Sequence, residues 1–240
     1  MHRKRNRALL IAGLLLVLLG VGCGIYLGSY YHASPRAAAL LEGREDVEVT
    51  ANASGWFLDG PGARDALIFY PGGKVEPTAY LPLLMTLAED GVDCFLVRMP
   101  FNMAFLNVNA AANIRAAYAY EHWFISGHSL GGAMAAVYAA DHGDGLDGLI
   151  LLAAYSTKPL DEHLAALELH GSEDGVLNRE KLKAGEQYLP ASALSEELPG
   201  GNHAQFGDYG PQKGDGLATV SREEQTAWAA KRIEALILGG

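Results

Sequence analysis

The residues 127–131, Gly-His-Ser-Leu-Gly, spell G-x-S-x-G. This spacing suits a serine held at the apex of a tight strand-to-helix turn, its hydroxyl pushed beyond the end of a sheet. Side chains two residues before and two after Ser129 would collide across such a turn, so glycine is required at both places. A serine hydroxyl is a weak nucleophile near neutral pH and needs a basic neighbour, usually a histidine oriented by a carboxylate. Two later loops offer these partners: Gly171-Ser172-Glu173-Asp174-Gly175 and Pro199-Gly200-Gly201-Asn202-His203. Ser129, Asp174 and His203 are the expected nucleophile, acid and base, with Glu173 the nearest substitute for the acid. The competing structural roles are a helix-capping carboxylate for Asp174 and a turn-stabilising ring for His203.

Acyl transfer also needs two backbone N–H donors aimed at the developing oxyanion. Leu130, directly after the serine, offers one. The other is expected from the glycine turn Pro71-Gly72-Gly73-Lys74, where either Gly73 or Lys74 could supply it. The same glycines would serve a simple tight turn into the next helix. Of the remaining histidines, His128 is expected to pack below the serine and His170 to make a structural hydrogen bond. His32, His142 and His163 fall in polar or loop settings. No H-E-x-x-H motif or Cys/His cluster is present, so neither a metal nor another cofactor is expected.

These residues need strands behind them and helices after them. His122 to Ser126 is short, aromatic and β-branched, as a buried strand should be, and Gly132 to Ala140 suits a helix packed closely on a sheet. Val47–Val49 and Gly55–Leu58 suggest an antiparallel pair. Further strands are expected at Ala66–Tyr70, Cys94–Arg98, Leu149–Ala154, Leu164–Leu169 and near Ala193–Leu198. Helices are expected at Thr78–Glu89, Asn113–Tyr120, Arg179–Tyr188 and Arg222–Leu238. Such alternation predicts an α/β fold with a mostly parallel, doubly wound sheet, binding its ligand beyond the C-terminal strand ends. Tyr155–His163 is too short for a large lid between its flanking strands.

At the N-terminus the basic cluster Arg3, Lys4, Arg5 and Arg7 precedes an uncharged run from Ala8 to Leu27. At about 1.5 Å per residue a helix of this length crosses a bilayer. The basic flank predicts a cytoplasmic N-terminus and an extracytoplasmic body. A cleaved signal peptide, or lipidation at Cys23 after an imperfect lipobox, are the other readings. The expected division is a membrane anchor over 1–28, a connector over 29–45 and one domain over 46–240. The formal net charge is −10 although the N-terminal cluster is basic, so the body is strongly acidic and no nucleic-acid partner is expected. With Cys23 in the apolar run and Cys94 in a strand, no disulfide within the domain is expected.

From about Asp46 onward the chain resembles the α/β-hydrolase superfamily. Within it, the chain is similar to a group of small bacterial proteins often attached to a membrane segment. The stretches that carry the resemblance are Tyr70–Val75, Arg98–Asn102, Gly127–Gly132, Gly171–Gly175 and Gly201–Gly207. The order serine, aspartate, histidine along the chain is also that of the superfamily. The resemblance implies a serine hydrolase using Ser129, Asp174 and His203 on a small-molecule acyl substrate. Pro71 stands where a histidine often precedes the oxyanion glycines. Asn102, Asn107, Gln205, Asp208, Tyr209 and Gln212 are expected to border the pocket. An ester hydrolase leads these readings; an amide or peptide hydrolase on the same residues, or a non-catalytic surface binding protein with this fold, are the alternatives.

Overall fold

The computed structural model describes residues 13–22, 24 and 27–239. Two compact units are present, Met1–Tyr30 and Tyr31–Gly240. In the first, residues 13–22 are helical and Leu14 to Leu19 are exposed. Among the described residues no helix is long and apolar enough to cross a membrane. The expected span Ala8–Leu27 includes residues 8–12, 23, 25 and 26, which lie outside the described residues, and so does the lipidation candidate Cys23.

The second unit is built on eight strands: β1 (Glu48–Asn52), β2 (Gly55–Asp59), β3 (Asp65–Tyr70), β4 (Val92–Val97), β5 (His122–His128), β6 (Gly148–Leu152), β7 (Ala165–Gly171) and β8 (Leu194–Leu198). They form one sheet in the order β1-β2-β4-β3-β5-β6-β7-β8. The pairs β1–β2 and β2–β4 are antiparallel; every other neighbouring pair is parallel. Six helices accompany it: α1 (Pro35–Ala39), α2 (Leu81–Glu89), α3 (Ala110–Ala117), α4 (Leu130–Asp141), α5 (Arg179–Gly185) and α6 (Arg222–Leu238).

Alternation along the strands explains the layers. On β3, Leu67 and Phe69 join one apolar cluster with α2 and α6, whereas Ala66, Ile68 and Tyr70 join another with α3 and α4. A parallel strand buried on both faces must be apolar at every position, and residues 66–70 are fully buried. Cys94 is buried in β4 as a free thiol. Residues 153–164 join β6 to β7 without a helix, so no lid is inserted there.

Several boundaries differ from expectation. The helix expected from Thr78 begins at Leu81, after a 3-10 turn over Pro77–Tyr80, because Pro82 sits in its first turn, where the missing N–H costs nothing. The helix expected over Asn113–Tyr120 ends at Ala117. Tyr118 turns to extended backbone and packs its ring on Phe57 and Phe95. Residues 31–45, expected as a connector, belong to the second unit. Tyr31 bridges to Val75, Ala37 is fully buried, and the Ser34 N–H donates to the Asp208 carbonyl at 2.7 Å.

The parallel strands present their C-terminal ends along one edge. Among the described residues, all non-glycine residues with positive φ lie just past the ends of four of these strands. They are Lys74 after β3, Phe101 and Asn102 after β4, Ser129 after β5 and Ala153 after β6. Strained backbone concentrates where function requires it.

Candidate active site

Ser129 has φ 54° and ψ −123°, a conformation that costs a non-glycine residue on the order of 1–3 kcal/mol. Its surroundings enforce it. The Ser129 N–H donates to the Leu152 carbonyl at 2.9 Å, and the Ala133 N–H donates to the Ser129 carbonyl at 3.0 Å. The two motif glycines are required for close approach. A Cβ on Gly127 would lie 2.6 Å from the Gly131 carbonyl carbon, and one on Gly131 would lie 2.2 Å from the Tyr70 oxygen. The elbow is therefore clamped between β3 and β6, and Ser129 stays partly exposed while His128 below it is buried.

The loops after β7 and β8 bring Asp174 and His203 together. His203 Nδ1 donates to Asp174 Oδ2 at 2.8 Å, with both side chains almost wholly buried. The other carboxylate oxygen, Oδ1, accepts the N–H groups of Val176 and Leu177 at 2.9 and 2.8 Å. Burial works against the Asp174 charge, but the bond from His203 and these two amides prevail and hold its pKa below the ordinary carboxylate value. With Nδ1 protonated toward Asp174, His203 Nε2 is left as an acceptor. That nitrogen is buried, and no hydrogen bond reaches it among the described residues, from the Ser129 hydroxyl or any other group.

The elbow histidine belongs to a second network. The Gly72 N–H donates to the Tyr80 hydroxyl at 3.0 Å, and that hydroxyl lies 2.8 Å from His128 Nδ1. The Gly72 N–H cannot accept, so of the hydroxyl's two partners only His128 Nδ1 can take the phenol proton. Burial, followed by the neighbouring charge of His203, holds His128 well below the ordinary imidazole pKa. A neutral His128 ring lies 4.5 Å from the His203 ring, centroid to centroid.

Two amides remain for an oxyanion. The Gly72 N–H is taken by Tyr80, and the Lys74 N–H is taken by the Asn102 carbonyl at 2.8 Å, which removes Lys74 as a donor. No acceptor is bonded to the Gly73 N–H among the described residues. Leu130, first residue of α4, has no helical acceptor for its own N–H. Gly73 and Leu130 also approach closely: a Cβ on Gly73 would lie 2.8 Å from Leu130 Cδ2.

A sequence profile described as the alpha/beta hydrolase family matches residues 66–227. The chain belongs to the alpha/beta hydrolase family. No curated protein matches it in sequence. Solved structures with the same fold include Est1E from Butyrivibrio proteoclasticus, at 15% identity and TM-score 0.57, over 80% of this chain and 99% of that one. The carboxylesterase CesB from Bacillus subtilis is similar at 10% identity and TM-score 0.57, over 85% and 95%. A dienelactone hydrolase from Anabaena variabilis is similar at 13% identity and TM-score 0.54, over 80% and 100%.

Within this alpha/beta hydrolase, sequence reasoning missed Tyr80, which bonds Gly72 and His128, and Asp215. Asp215 Oδ1 accepts the N–H groups of His203 and Gly175, both at 3.2 Å, and its Oδ2 accepts that of Ala204 at 2.8 Å. One carboxylate thus ties the histidine loop to the acid loop. Nothing in the local sequence marks it, because its partners are backbone amides from segments far apart in the chain. His170 contacts Glu197 at 3.4 Å, in keeping with a structural role.

The polar residues expected to border the pocket divide. Asn102 sits beside the glycine turn. Asp208 is buried and held by Arg36 and Arg222, so it serves packing instead. Tyr209 is likewise buried, its ring in the apolar core, and donates to Gln212 at 2.9 Å. Gln205 and Gln212 line a hollow of about 260 Å³ together with Asn202 and Ala204 of the histidine loop.

Proposed function

We propose that this protein is a serine hydrolase of carboxylic esters or related acyl bonds, working through an acyl-enzyme. Three observations support the reading: Ser129 strained on its elbow, a buried Asp174–His203 pair whose Nε2 has no hydrogen bond among the described residues, and a His203 ring 4.5 Å from that of His128, the residue before Ser129. In the proposed cycle Ser129 Oγ bonds to the carbonyl carbon while His203 Nε2 takes the hydroxyl proton. Asp174 keeps the ring in the required tautomer and stabilises the imidazolium. The N–H groups of Gly73 and Leu130 hold the oxyanion. Collapse breaks the bond to the leaving oxygen, which receives the proton from Nε2. Water, deprotonated by Nε2, then attacks the acyl carbon, and the carboxylic acid departs as the serine is reprotonated.

The test is steady-state hydrolysis of p-nitrophenyl esters by the wild type and Ser129→Ala. Loss of the nucleophile is expected to lower kcat by ~10⁴-fold or more without unfolding the protein. Unchanged specific activity in a clean preparation would contradict the reading.

A further inference from the structure

The segment between β4 and α3 is tied to the site at three places. Its Asn102 carbonyl accepts the Lys74 N–H at 2.8 Å, one residue past Gly73. The turn Ala104–Leu106 packs on α4, the helix that Ser129 begins. The Tyr70 hydroxyl, at the end of β3, donates to the Val108 carbonyl at 2.6 Å and accepts the Ala111 N–H at 2.9 Å. Met99, Met103 and Ala104 anchor the segment in the interior. Yet the same anchored segment holds three large apolar side chains outside: Phe101 is 60% exposed, Phe105 53% and Leu106 48%. Phe101 and Asn102 are held in left-handed backbone, φ 53° and 54°, without a glycine. A segment that is strained, braced and still presents apolar rings to water has a cost that packing does not explain.

Its side of the nucleophile suggests what those rings receive. Asp174 and His203 reach the site from β7 and β8, on one flank of β5. The segment follows β4, on the opposite flank beyond β3. In the tetrahedral intermediate the leaving oxygen must face His203 Nε2 to be protonated, and the oxyanion must face Gly73 and Leu130. The remaining substituent on the carbon, the acyl chain, then points away from His203, toward the flank that carries the segment after β4.

Resting on the hydrolase reading, we propose that Phe101, Phe105 and Leu106 form the acyl-binding surface, and that the substrates are esters of apolar carboxylic acids. Substrate is the occupant these rings fit, because the segment that carries them is held against the oxyanion turn by the Lys74–Asn102 bond and against the elbow helix by Ala104–Leu106.

The experiment compares kcat/KM for p-nitrophenyl acetate and hexanoate, which share a leaving group, and for methyl and hexyl acetate, which share an acyl group. It uses the full chain, the double variant Phe101→Ala/Phe105→Ala, and the double variant Phe101→Leu/Phe105→Leu. The wild type should prefer hexanoate, and the alanine variant should lose that preference by ~10-fold, as expected for a lost apolar contact. The leucine variant should recover it, and Ser129 in all three proteins should still react with a fluorophosphonate. An unchanged hexanoate-to-acetate ratio in a reactive alanine variant would overturn the proposal. A change confined to the alcohol series would overturn it too, assigning the surface to the leaving group. Failure of the wild type to turn over any ester or to react at Ser129 would instead remove the hydrolase reading itself.

Discussion

At the scale of single residues, the site depends on who occupies each buried polar atom. Asp174 accepts from His203 Nδ1, which fixes the tautomer that leaves Nε2 basic. Asp174→Asn presents an N–H₂ or a neutral oxygen there, and kcat for ester hydrolysis is expected to fall by ~10⁴-fold with little change in fold. Activity within a few-fold of wild type would contradict the role of Asp174. Tyr80→Phe strips Gly72 of its acceptor and His128 of its donor in a fully buried network. Urea unfolding is expected to register a loss of about 1–3 kcal/mol, and an unchanged midpoint would contradict the network. The candidates Ser129, Asp174 and His203 stand out in the sequence because each sits in a glycine-bearing loop at a strand end, and the structure joins two of them, Asp174 and His203. Tyr80 and Asp215 do not stand out, because neither belongs to a local pattern. Their partners, His128 for one and the amides of Gly175, His203 and Ala204 for the other, become neighbours only when the sheet assembles. Likewise, two adjacent amides could serve the oxyanion on paper, and only the Asn102 carbonyl decides between Gly73 and Lys74.

At the scale of elements, strand–helix alternation was readable from periodicity, whereas the order of strands was not. Nothing in residues 65–97 says that β4 lies outside β3, between it and β2. That placement follows from right-handed crossovers and from burying both faces of β3. The loops after β7 and β8 bring Asp174 and His203 to one flank of Ser129 only because β7 and β8 pair side by side. The alternation of β7 also places Glu168 in the interior. It is 1% exposed, with one oxygen 3.3 Å from the Ser195 hydroxyl and the other without a hydrogen bond among the described residues. Burial, only partly offset by Ser195, pushes its pKa up to about 7. The folded state therefore holds this proton more tightly than the unfolded chain, whose glutamate titrates near ~4.3. Its contribution to stability is complete below that lower value and is lost as pH rises through about 7. Glu168→Gln keeps the shape without the titration. The Tm advantage of the glutamine variant is expected to grow between pH 5 and 8, and a pH-independent difference would contradict a buried, protonated Glu168.

At the scale of the whole molecule, a compact body from Tyr31 onward carries the site, and an apolar N-terminal stretch precedes it. We propose that this stretch is a retained anchor that keeps the acidic body on the extracytoplasmic side. The full chain, expressed in bacteria, is expected to stay with membranes through an alkaline carbonate wash, and protease added to spheroplasts should remove the body. Release by the wash, or protection from the protease, would contradict the anchor or its orientation. The attachment of residues 31–42 to the body through Arg36–Asp208 and the Tyr31–Val75 bridge was not legible, because short polar and alanine-rich stretches look alike in linkers and in packed arms. The account as a whole stands on Ser129 being an activated nucleophile. The direct measurement is reaction of the full chain with a fluorophosphonate, mapped by peptide mass, with His203→Ala as the control. Modification at Ser129 that disappears in the control is the predicted result. A folded wild type that is not modified at Ser129, or a control modified equally fast, would contradict it.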